Sequence, residues 1–215
     1  MKLVLHNYWR SSASHRVRIA LNLKGIAYDY VVVNILKKEQ HADAYRARNP
    51  LAQVPTLEVT EDDGRVFAIT QSLPILEYLE ERFPEPAILP QDPYLRARAR
   101  GLAEIVNSGI QPLQNLTTTN KLHKLGIDTA EWVKPFIADG LAAFARFAAE
   151  TAGRFCVGDA PTVADCCLIP QLASARRFGV DLAQHESLVK IEANCLALPA
   201  FAAAMPDQQP DAVKS

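Results

Sequence analysis

Residues 7–21, NYWRSSASHRVRIAL, are the stretch that decides the fold. They follow the short apolar run of residues 3–5, and after a polar turn apolar side chains recur at the three- and four-residue spacing of a helix. The pattern predicts that the serines lie where a strand ends and a helix begins. Unpaired backbone N–H groups and the positive end of the helix dipole favour an anion there, including a thiolate. Serine is also a favoured N-cap residue, so helix capping alone is an alternative role for Ser11, Ser12 and Ser14.

The composition indicates an ordinary globular protein. The chain has 215 residues, of which 49% are hydrophobic and 22% charged, and its net charge is −1. This size permits one large domain or two small ones. Because there is no basic excess, binding to nucleic acid or to an anionic membrane is not expected. The apolar run near Met1 is too short for a signal peptide, and no apolar window approaches the ~18 residues of a membrane span.

Cysteine and histidine usage favours the cytoplasm and no metal. The four cysteines, Cys156, Cys166, Cys167 and Cys195, form no C-x-x-C pair, and the five histidines are scattered without ligand spacing. We therefore expect reduced, partly buried thiols in a cytosolic protein, and no metal site. Since no cysteine precedes Cys156, a redox dithiol of the thioredoxin type is excluded from the N-terminal part.

The first ~85 residues alternate strand and helix patterns in the order β-α-β-α-β-β-α, which describes a small α/β unit. Gly25 closes the first helix, and an acidic turn at residues 61–64 joins the last two strands. Pro74 is tolerated because it falls in the first turn of the last helix. The predicted strands are residues 3–7, 28–33, 56–60 and 66–69, and the predicted helices are 14–24, 39–48 and 73–83.

A proline-rich stretch then marks a domain boundary. Residues 84–93 hold four prolines, which no helix interior accommodates. The sequence therefore predicts an α/β domain at residues 1–84, a linker at 85–93 and an all-helical domain at 94–215. The predicted helices of the second domain are 94–123, 129–152, 162–178 and 186–196, followed by an extended tail at 206–215.

Two further motifs of the α/β domain suit a ligand. Gln53-Val54-Pro55 precedes the third strand, and a cis proline there would leave the Val54 backbone free to pair with an extended ligand. A trans turn is the alternative. Gln71-Ser72 opens the last helix of the domain, where Ser72 is either an N-cap or, with the helix amides, a partner of a ligand carboxylate.

These features together resemble the glutathione transferases, which have a serine turn after the first strand, V-P before the third, Q-S at the third helix, a proline-rich linker and a helical second domain. Four stretches narrow the resemblance to the zeta class. Residues 11–21, SSASHRVRIAL, are similar to that class's S-S-C-S-x-R-V-R-I-A-L, and residues 49–57, NPLAQVPTL, to its N-P-x-x-Q-V-P-T-L. Residues 111–116 match its Q-P-L-Q-N-L, and residues 208–211, QQPD, resemble its R-Q-P-D.

The resemblance implies a thioredoxin-like α/β N-terminal domain, an all-α C-terminal domain and glutathione as cofactor. It implies that Ser11 activates the glutathione thiol, with Ser12 as a competing candidate, and that Ala13 stands where many relatives have cysteine. We expect Ser11 to lie nearer the sulfur, and Ser12 and Ser14 to cap the helix. The further residues implied to bind glutathione are Gln40, Gln53, Val54, Gln71 and Ser72, together with Gln111 and Asn115 of the second domain.

Within this set, three parts of glutathione have separate partners. Gln71 and Ser72 match the pair that holds the γ-glutamyl end of glutathione in the class. The Val54 backbone matches the partner of the cysteinyl portion. Gln40 matches, in a loop of different length, a contact of the glycyl end.

The implied reaction is cis–trans isomerisation of an enediolone diacid, maleylacetoacetate, by reversible addition of the glutathione thiolate. A dianionic substrate with an enolate-like transition state needs cationic partners. We expect Arg10 and Arg177 to contact the substrate, and Tyr8 to form part of the pocket wall. For Asp165, in a Thr162-Val163-Ala164-Asp165 sequence that resembles a capping box, we expect a folding role.

Three alternatives remain beside maleylacetoacetate isomerisation. They are isomerisation of maleylpyruvate, glutathione transfer to α-haloacids, and a non-catalytic binding role on the same fold. The intact Ser11, Gln71 and Ser72 argue against the last. The class also implies a homodimer.

Overall fold

Four strands form one mixed sheet: β1 (Lys2–Asn7), β2 (Asp29–Val32), β3 (Thr56–Thr60) and β4 (Val66–Thr70). Their order in the sheet is β2-β1-β3-β4, with β1 parallel to β2 and antiparallel to β3, and β3 antiparallel to β4. Leu5 and Leu57 are paired in the register of the two inner strands, and both are fully buried. The apolar run at residues 3–5 and the alternating polar and apolar residues at 56–60 therefore supply the centre of the sheet.

Three helices accompany this sheet: α1 (Ser12–Leu23), α2 (Asp43–Arg46) and α3 (Ser72–Arg82). This computed structural model describes residues 1–213. Ile19 of α1 and Leu76 of α3 are fully buried, so the apolar stripes of both helices enter the core. The predicted helix 39–48 is a 3₁₀ turn followed by the short α2, because the backbone of Ala42 between them is extended.

Helix α1 ends at Leu23, one residue before the predicted end, and the predicted Gly25 follows its C-cap residue, Lys24. Gly25 has a φ of +64°, a left-handed conformation that glycine adopts without steric cost. The Gly25 amide donates to the Asn22 carbonyl at 3.1 Å, and the Ile26 amide donates to the Leu21 carbonyl at 2.9 Å. This pair of bonds satisfies the last carbonyls of the helix.

Contacts divide the chain into two units, one formed by Met1–Ala87 with the segment that begins at Leu198, and the other by Ile88–Ala197. The division falls inside the predicted linker at 85–93. The second unit is helical, so the predicted class, a thioredoxin-like α/β unit with a helical unit, is confirmed. Its helices are α4 (Pro93–Glu104), α5 (Gln111–Gln114), α6 (Leu116–Lys124), α7 (Thr129–Ala148), α8 (Val163–Arg177) and α9 (Glu186–Leu196).

The predicted helix 94–123 is interrupted twice. A π-helical turn, Ile105–Ile110, follows α4, and the backbone of Asn115 is extended between α5 and α6. Pro112 has no N–H to donate inside a longer helix. The Asn115 side chain instead accepts from the Thr117 amide at 3.0 Å, so a new helix starts there with its own N-cap.

Helix α8 begins with the predicted capping box. The Thr162 hydroxyl accepts from the Ala164 amide, and the buried Asp165 carboxylate accepts from the Thr162 amide at 2.7 Å. Another Asp165 oxygen accepts from the Cys156 amide at 2.9 Å. Burial raises the pKa of the Asp165 carboxyl, while these donors oppose the rise. Asp165 therefore ties the preceding loop to the helix start, a folding role as expected.

The C-terminal segment differs from the prediction that residues 94–215 form one helical domain. It belongs to the first unit because α10 (Pro199–Ala204) packs on α1, with Phe201 and Ala204 fully buried. Residues 206–213 are not extended as predicted, since Pro206–Gln208 form a 3₁₀ turn. The side-chain amide of Gln209 holds this turn by donating to the Ala203 and Met205 carbonyls. Lys214 and Ser215 lie outside the described residues.

Three further observations bear on the expectations from composition. No helix within residues 1–213 is both long and apolar enough to cross a membrane. Over the same residues, His, Cys, Asp and Glu side chains nowhere gather in threes that could hold a metal ion. Within residues 1–213 the four cysteines are buried and form no disulfide, and burial raises the pKa of Cys156 and Cys166.

Candidate active site

The serine turn places Ser11, not Ser12 or Ser14, at the N-cap of α1. Helix α1 begins at Ser12, two residues earlier than predicted, and the Ser11 backbone is extended. The Ser11 hydroxyl accepts from the Ser14 amide at 3.2 Å. The prediction that Ser12 and Ser14 cap the helix is therefore wrong, because both lie inside the first turn and the cap must precede it.

The start of α1 is rich in donors. A hydroxyl that accepts an N–H bond through a lone pair keeps its own hydrogen for another acceptor, so the Ser11 O–H remains a donor. Within residues 1–213, the amides of Ser12 and Ala13 have no hydrogen-bond partner. Ser11, Ser12 and Ala13 are only half-buried. The first turn of α1 therefore presents accessible donors of the kind that favour an anion, and anion binding there stays a prediction.

Buried Arg18 fixes the turn that precedes Ser11. Its guanidinium donates to the carbonyls of Tyr8 and Trp9 at 3.4 and 3.0 Å, and to the Asn7 side chain at 3.0 Å. The Ser11 amide closes the turn on the Tyr8 carbonyl at 3.0 Å. Burial lowers the pKa of Arg18 to about 10, so the group stays charged at neutral pH. Arg18 therefore stabilises the conformation of the turn.

The two predicted substrate residues of this turn differ in exposure. Tyr8 is 3% exposed, and its ring centroid lies 6.0 Å from that of Trp9. Arg10 is exposed, and its guanidinium lies 5.7 Å from the centroid of the Trp9 ring. Arg10 is thus the residue of this turn that presents a cation to solvent.

The second predicted helix start carries Ser72 as the first residue of α3. Gln71 occupies the N-cap position with a φ of +70°, and its side chain makes no capping bond, so the alternative that Ser72 is the N-cap is wrong. The Ser72 hydroxyl accepts from Nη1 of the buried Arg16 at 3.0 Å. Among residues 1–213, the Ser72 and Leu73 amides have no partner. A positive side chain and unpaired donors therefore meet at this helix start.

The loop before β3 brings two predicted residues together. The Gln71 side chain donates to the Gln53 side chain at 3.1 Å, and the Val54–Pro55 peptide is cis. Within the described chain, neither backbone polar group of Val54 has a hydrogen-bond partner. Buried Asn49 holds the loop by donating to the Gln53 carbonyl at 2.8 Å. The loop thus presents Val54 with its peptide groups available.

Gln40 is placed by the 3₁₀ turn Glu39–His41. It is 8% exposed, and its side-chain amide donates to the Ile35 carbonyl at 3.4 Å. Its side-chain oxygen is buried and has no partner in residues 1–213. Over the part of the chain that the structure describes, Gln40 therefore makes no hydrogen bond to the other predicted glutathione residues.

The second unit holds Gln111, Asn115 and Arg177. Gln111 is the first residue of α5 and follows the π-helical turn, while the Asn115 side chain caps α6. Arg177 ends α8, is exposed, and has its guanidinium 5.0 Å from the centroid of the Phe178 ring. Gln111 and Asn115 are half-buried. The contacts that were expected of these three side chains with cofactor or substrate stay predictions.

Comparisons with known proteins agree on one family. The family described as the glutathione S-transferase N-terminal domain matches residues 5–87. The mouse maleylacetoacetate isomerase is 44% identical over 98% of this chain and 95% of its own length. A maleylpyruvate isomerase structure, described as a bacterial glutathione S-transferase of the zeta class, is 42% identical, covers 98% of this chain and all of its own, and has a TM-score of 0.91. The chain belongs to the zeta-class glutathione transferases.

A maleylacetoacetate isomerase of Anaeromyxobacter dehalogenans is also similar to this zeta-class chain. Its structure with glutathione bound in the active site is 53% identical, with a TM-score of 0.92 over 99% of this chain and 98% of that one. Another structure of the same isomerase holds dicarboxyethyl glutathione and citrate in the active site. The chain is therefore an enzyme of the zeta class, as the resemblance predicted.

Sequence reasoning missed three residues that shape the site of this zeta-class enzyme. Arg16 contacts Ser72, Arg18 binds the carbonyls of the serine turn, and Asn49 holds the loop of Val54. Arginines at positions 16 and 18, next to the apolar residues Val17, Ile19, Ala20 and Leu21, were the available signal, because a buried cation in a helix requires polar partners. Their partners, however, lie up to 186 residues away in the sequence.

Proposed function

We propose that this chain is a glutathione-dependent cis–trans isomerase that converts maleylacetoacetate to fumarylacetoacetate, in the breakdown of tyrosine and related aromatic compounds. The observation that carries the proposal is the start of α1. There the Ser11 hydroxyl accepts from Ser14 and keeps its hydrogen for a thiolate, beside two amides with no partner in residues 1–213. The isomerase activities named for the relatives, and the glutathione bound in one of them, support it.

The donor set of the first unit fits glutathione. At the start of α3, the Ser72 hydroxyl, the Ser72 and Leu73 amides and the charge of Arg16 suit the carboxylate of a γ-glutamyl group. The backbone N–H and C=O of Val54 suit the peptide groups of an extended ligand. Gln53 and Gln71, already in contact, would hold the amino end, and Gln40 the glycyl end.

The residues around Ser11 would set the protonation of the thiol. When bound, glutathione would supply a thiolate that adds to the substrate double bond, permits rotation about the resulting single bond, and leaves again. The Ser11 hydroxyl would donate to the sulfur, and the α1 amides would add positive potential. One such charge-assisted hydrogen bond contributes about 1.5–3 kcal/mol, which lowers a thiol pKa by about one to two units.

Cationic side chains would hold the diacid. Arg10 is exposed beside the serine turn, and Arg177 is exposed at the end of α8. We propose that both bind substrate carboxylates, and that Gln111 and Asn115 complete the glutathione side. Each arginine would act mainly where negative charge develops on the enolate-like transition state.

The experiment is an isomerisation assay with maleylacetoacetate, with and without glutathione. We expect turnover only when glutathione is present, and none with S-methyl glutathione, which fills the site without a free thiol. Equal rates with and without glutathione would rule out the proposal. The S-methyl compound is the control for activation by occupancy alone.

Maleylpyruvate is the second candidate substrate, because a relative of that activity is 42% identical over nearly the whole chain. The two diacids differ in length, so the ratio of their kcat/KM values identifies the better substrate. We expect the ratio to favour maleylacetoacetate. Conjugation of an α-haloacid, measured by halide release, is expected as a slower side activity.

We further propose a cytoplasmic homodimer. Four buried reduced cysteines suit a reducing compartment, and a two-fold dimer is the commonest assembly of soluble enzymes. Light scattering at micromolar protein should report a mass of about 47 kDa, twice the 23.7 kDa of one chain. A single species of one-chain mass would contradict the dimer.

A further inference from the structure

The carboxylate of Asp211 reaches back to the turn that carries Ser11. One oxygen accepts from the Trp9 amide at 3.1 Å, across 202 residues of sequence. The other accepts from the Tyr30 hydroxyl at 2.5 Å. Both contacts lie within the first unit, and both are partly buried. The C-terminal QQPD stretch therefore ends on the active-site turn, a link that the motif alone does not reveal.

Trp9 is thus held on both sides by charged groups of opposite sign. Its amide donates to the Asp211 carboxylate, and its carbonyl accepts from the Arg18 guanidinium at 3.0 Å. Arg18 also donates to the Ala204 carbonyl at 3.2 Å, so both partners of Trp9 are tied to the C-terminal segment. Hydrogen bonds to charged groups are stronger than neutral ones, which makes this a stiff point of the turn.

The contact between Asp211 and Trp9 matters because Arg10 and Ser11 follow Trp9 directly in the serine turn. The Arg10 guanidinium lies 5.7 Å from the centroid of the Trp9 ring, and Ser11 follows one residue later. The Ser11 amide closes the turn on the Tyr8 carbonyl, so a shift of the Trp9 peptide would move the Ser11 hydroxyl as well. Asp211 itself touches neither Arg10 nor Ser11 through a hydrogen bond in the described residues.

We propose that Asp211 is a positioning residue of the active site: by fixing the Trp9 amide, it holds the Ser11 hydroxyl and Arg10 where thiol and diacid require them. The inference rests on the proposed function. A simpler role, in which Asp211 only anchors the C-terminal segment, makes a different prediction. An anchor changes stability alone, whereas a positioning residue also changes the bound thiol and the rate.

Gln209 provides the matched control. It lies two residues from Asp211 and anchors the same segment through two hydrogen bonds, to the Ala203 and Met205 carbonyls. None of its hydrogen bonds within residues 1–213 reaches the serine turn. Gln209→Ala therefore loosens the segment while leaving the Trp9 contact in place.

The experiment compares Asp211→Ala, Asp211→Asn and Gln209→Ala with the unchanged chain. Hydrogen exchange measures the Trp9 amide, thiolate absorbance measures the pKa of bound glutathione, and steady-state assays separate kcat from KM. We expect faster Trp9 exchange, a raised thiol pKa and a kcat/KM about ten- to a hundredfold lower in Asp211→Ala. Asp211→Asn, which keeps the shape and an acceptor, should be intermediate. Gln209→Ala should lower the melting temperature with kcat and thiol pKa unchanged.

Each outcome decides the matter. Unchanged thiol pKa and kcat in Asp211→Ala, even with faster exchange, would overturn the inference and leave an anchor. If Asp211→Ala does not fold, Asp211→Asn decides it by the same readouts. If the unchanged chain binds glutathione without isomerising either diacid, the proposed function fails. In that case Trp9 exchange and the thiol titration still decide the role of Asp211.

Discussion

The Ser11 hydroxyl has two roles at the start of α1, one in capping the helix and one, as proposed, in binding the glutathione sulfur. It accepts from the Ser14 amide, which is a capping bond, and its hydrogen is the proposed donor to the glutathione sulfur. Ser12, the neighbouring candidate, makes no capping bond. Because one oxygen can accept and donate together, capping and catalysis do not compete for Ser11. The two serines therefore differ in what their removal should cost.

We expect Ser11→Ala to lower both stability and rate. Loss of the cap should cost about 0.5–2 kcal/mol of unfolding free energy. Loss of the bond to the thiolate should reduce turnover about ten- to a hundredfold at neutral pH. Ser12→Ala should change both much less. Thiolate absorbance of bound glutathione, beside thermal unfolding, checks both variants. If Ser12→Ala raises the pKa of the bound thiol and Ser11→Ala leaves that pKa unchanged, then Ser12 and not Ser11 is the donor to the sulfur.

His15 predicts a pH effect on stability. Its ring is buried, Nε2 has no partner in residues 1–213, and burial holds the pKa well below its usual range, with nearby Arg18 adding to the effect. In the unfolded chain His15 binds a proton near pH 6.5, whereas in the folded chain it stays neutral at that pH. The stability due to neutral His15 is therefore complete above that pH and is lost as the pH falls below it.

The variant His15→Asn removes this titration. Between pH 6.5 and 5 the unchanged chain should lose about 1–2 kcal/mol more unfolding free energy than the variant. Urea unfolding at several pH values measures the difference. Parallel pH profiles of the two proteins would show that His15 is protonated in the folded state.

At the scale of elements, the π-helical turn depends on a close contact with α7. A methyl group built on Gly140 would lie 2.4 Å from the Cγ1 and Cδ1 atoms of Ile110, the last residue of that turn. Glycine at position 140 therefore makes room for the segment that leads into Gln111. A methyl group built on Gly101, in α4, would have no atom within 4 Å.

We expect Gly140→Ala to destabilise the chain by about 1–3 kcal/mol, because Ile110 must move in a packed interior. Gly101→Ala, the control, should stabilise by about 0.4–1 kcal/mol, since alanine restricts the unfolded chain and meets no atom in the helix. Urea unfolding measures both. A neutral Gly140→Ala would mean that Ile110 has a second rotamer at no cost.

Elements with purely local causes could be predicted from the sequence. Strand β3 has the predicted bounds, and α9 begins and ends at the predicted residues, because period-two and helical patterns lie in contiguous residues. The π-helical turn within residues 94–123 could not be predicted from local patterns, since the close approach of Ile110 to Gly140 joins residues 30 positions apart in sequence. Patterns in contiguous residues do not indicate contacts between residues that are distant in sequence. The break at Asn115, by contrast, has local signals in Pro112 and in an asparagine at the N-cap.

The candidate site, like the fold, has features that local motifs predict and features that depend on residues distant in sequence. Local motifs predicted helix starts at the serine turn and at Gln71-Ser72, and the structure has both. The Val54–Pro55 peptide is cis, one of the two alternatives that the sequence left open. The contacts of Arg16 with Ser72, and of Asp211 with Trp9, join positions 56 and 202 residues apart. Arg16 did give a sequence signal, because a cation among the apolar residues of a helix requires a polar partner, but the signal does not identify that partner. Asp211 lies in a polar stretch and gave no such signal.

At the scale of the whole molecule, both sequence-distant segments of the first unit are needed for its core. Phe201, in α10, is fully buried in the unit that begins at Met1. Phe201→Ala should cost about 3–5 kcal/mol of unfolding free energy. Phe147→Ala, at a ring that is 46% exposed, should cost about 1 kcal/mol. Urea unfolding of both variants is the measurement. Equal losses would place Phe201 outside the core.

The late arrival of residues 198–213 has a consequence for how this protein is made. On the ribosome, β1, α1 and α3 emerge while the carbonyl of Ala204 and the carboxylate of Asp211 do not yet exist, so Arg18 and the Trp9 amide lack partners that they have in the finished chain. Domains usually fold in the order of their synthesis. Here the first unit to emerge is the last to be completed, and a nascent chain halted at Ala197 lacks two of the hydrogen bonds that surround its serine turn, the one from the Trp9 amide to Asp211 and the one from Arg18 to the Ala204 carbonyl.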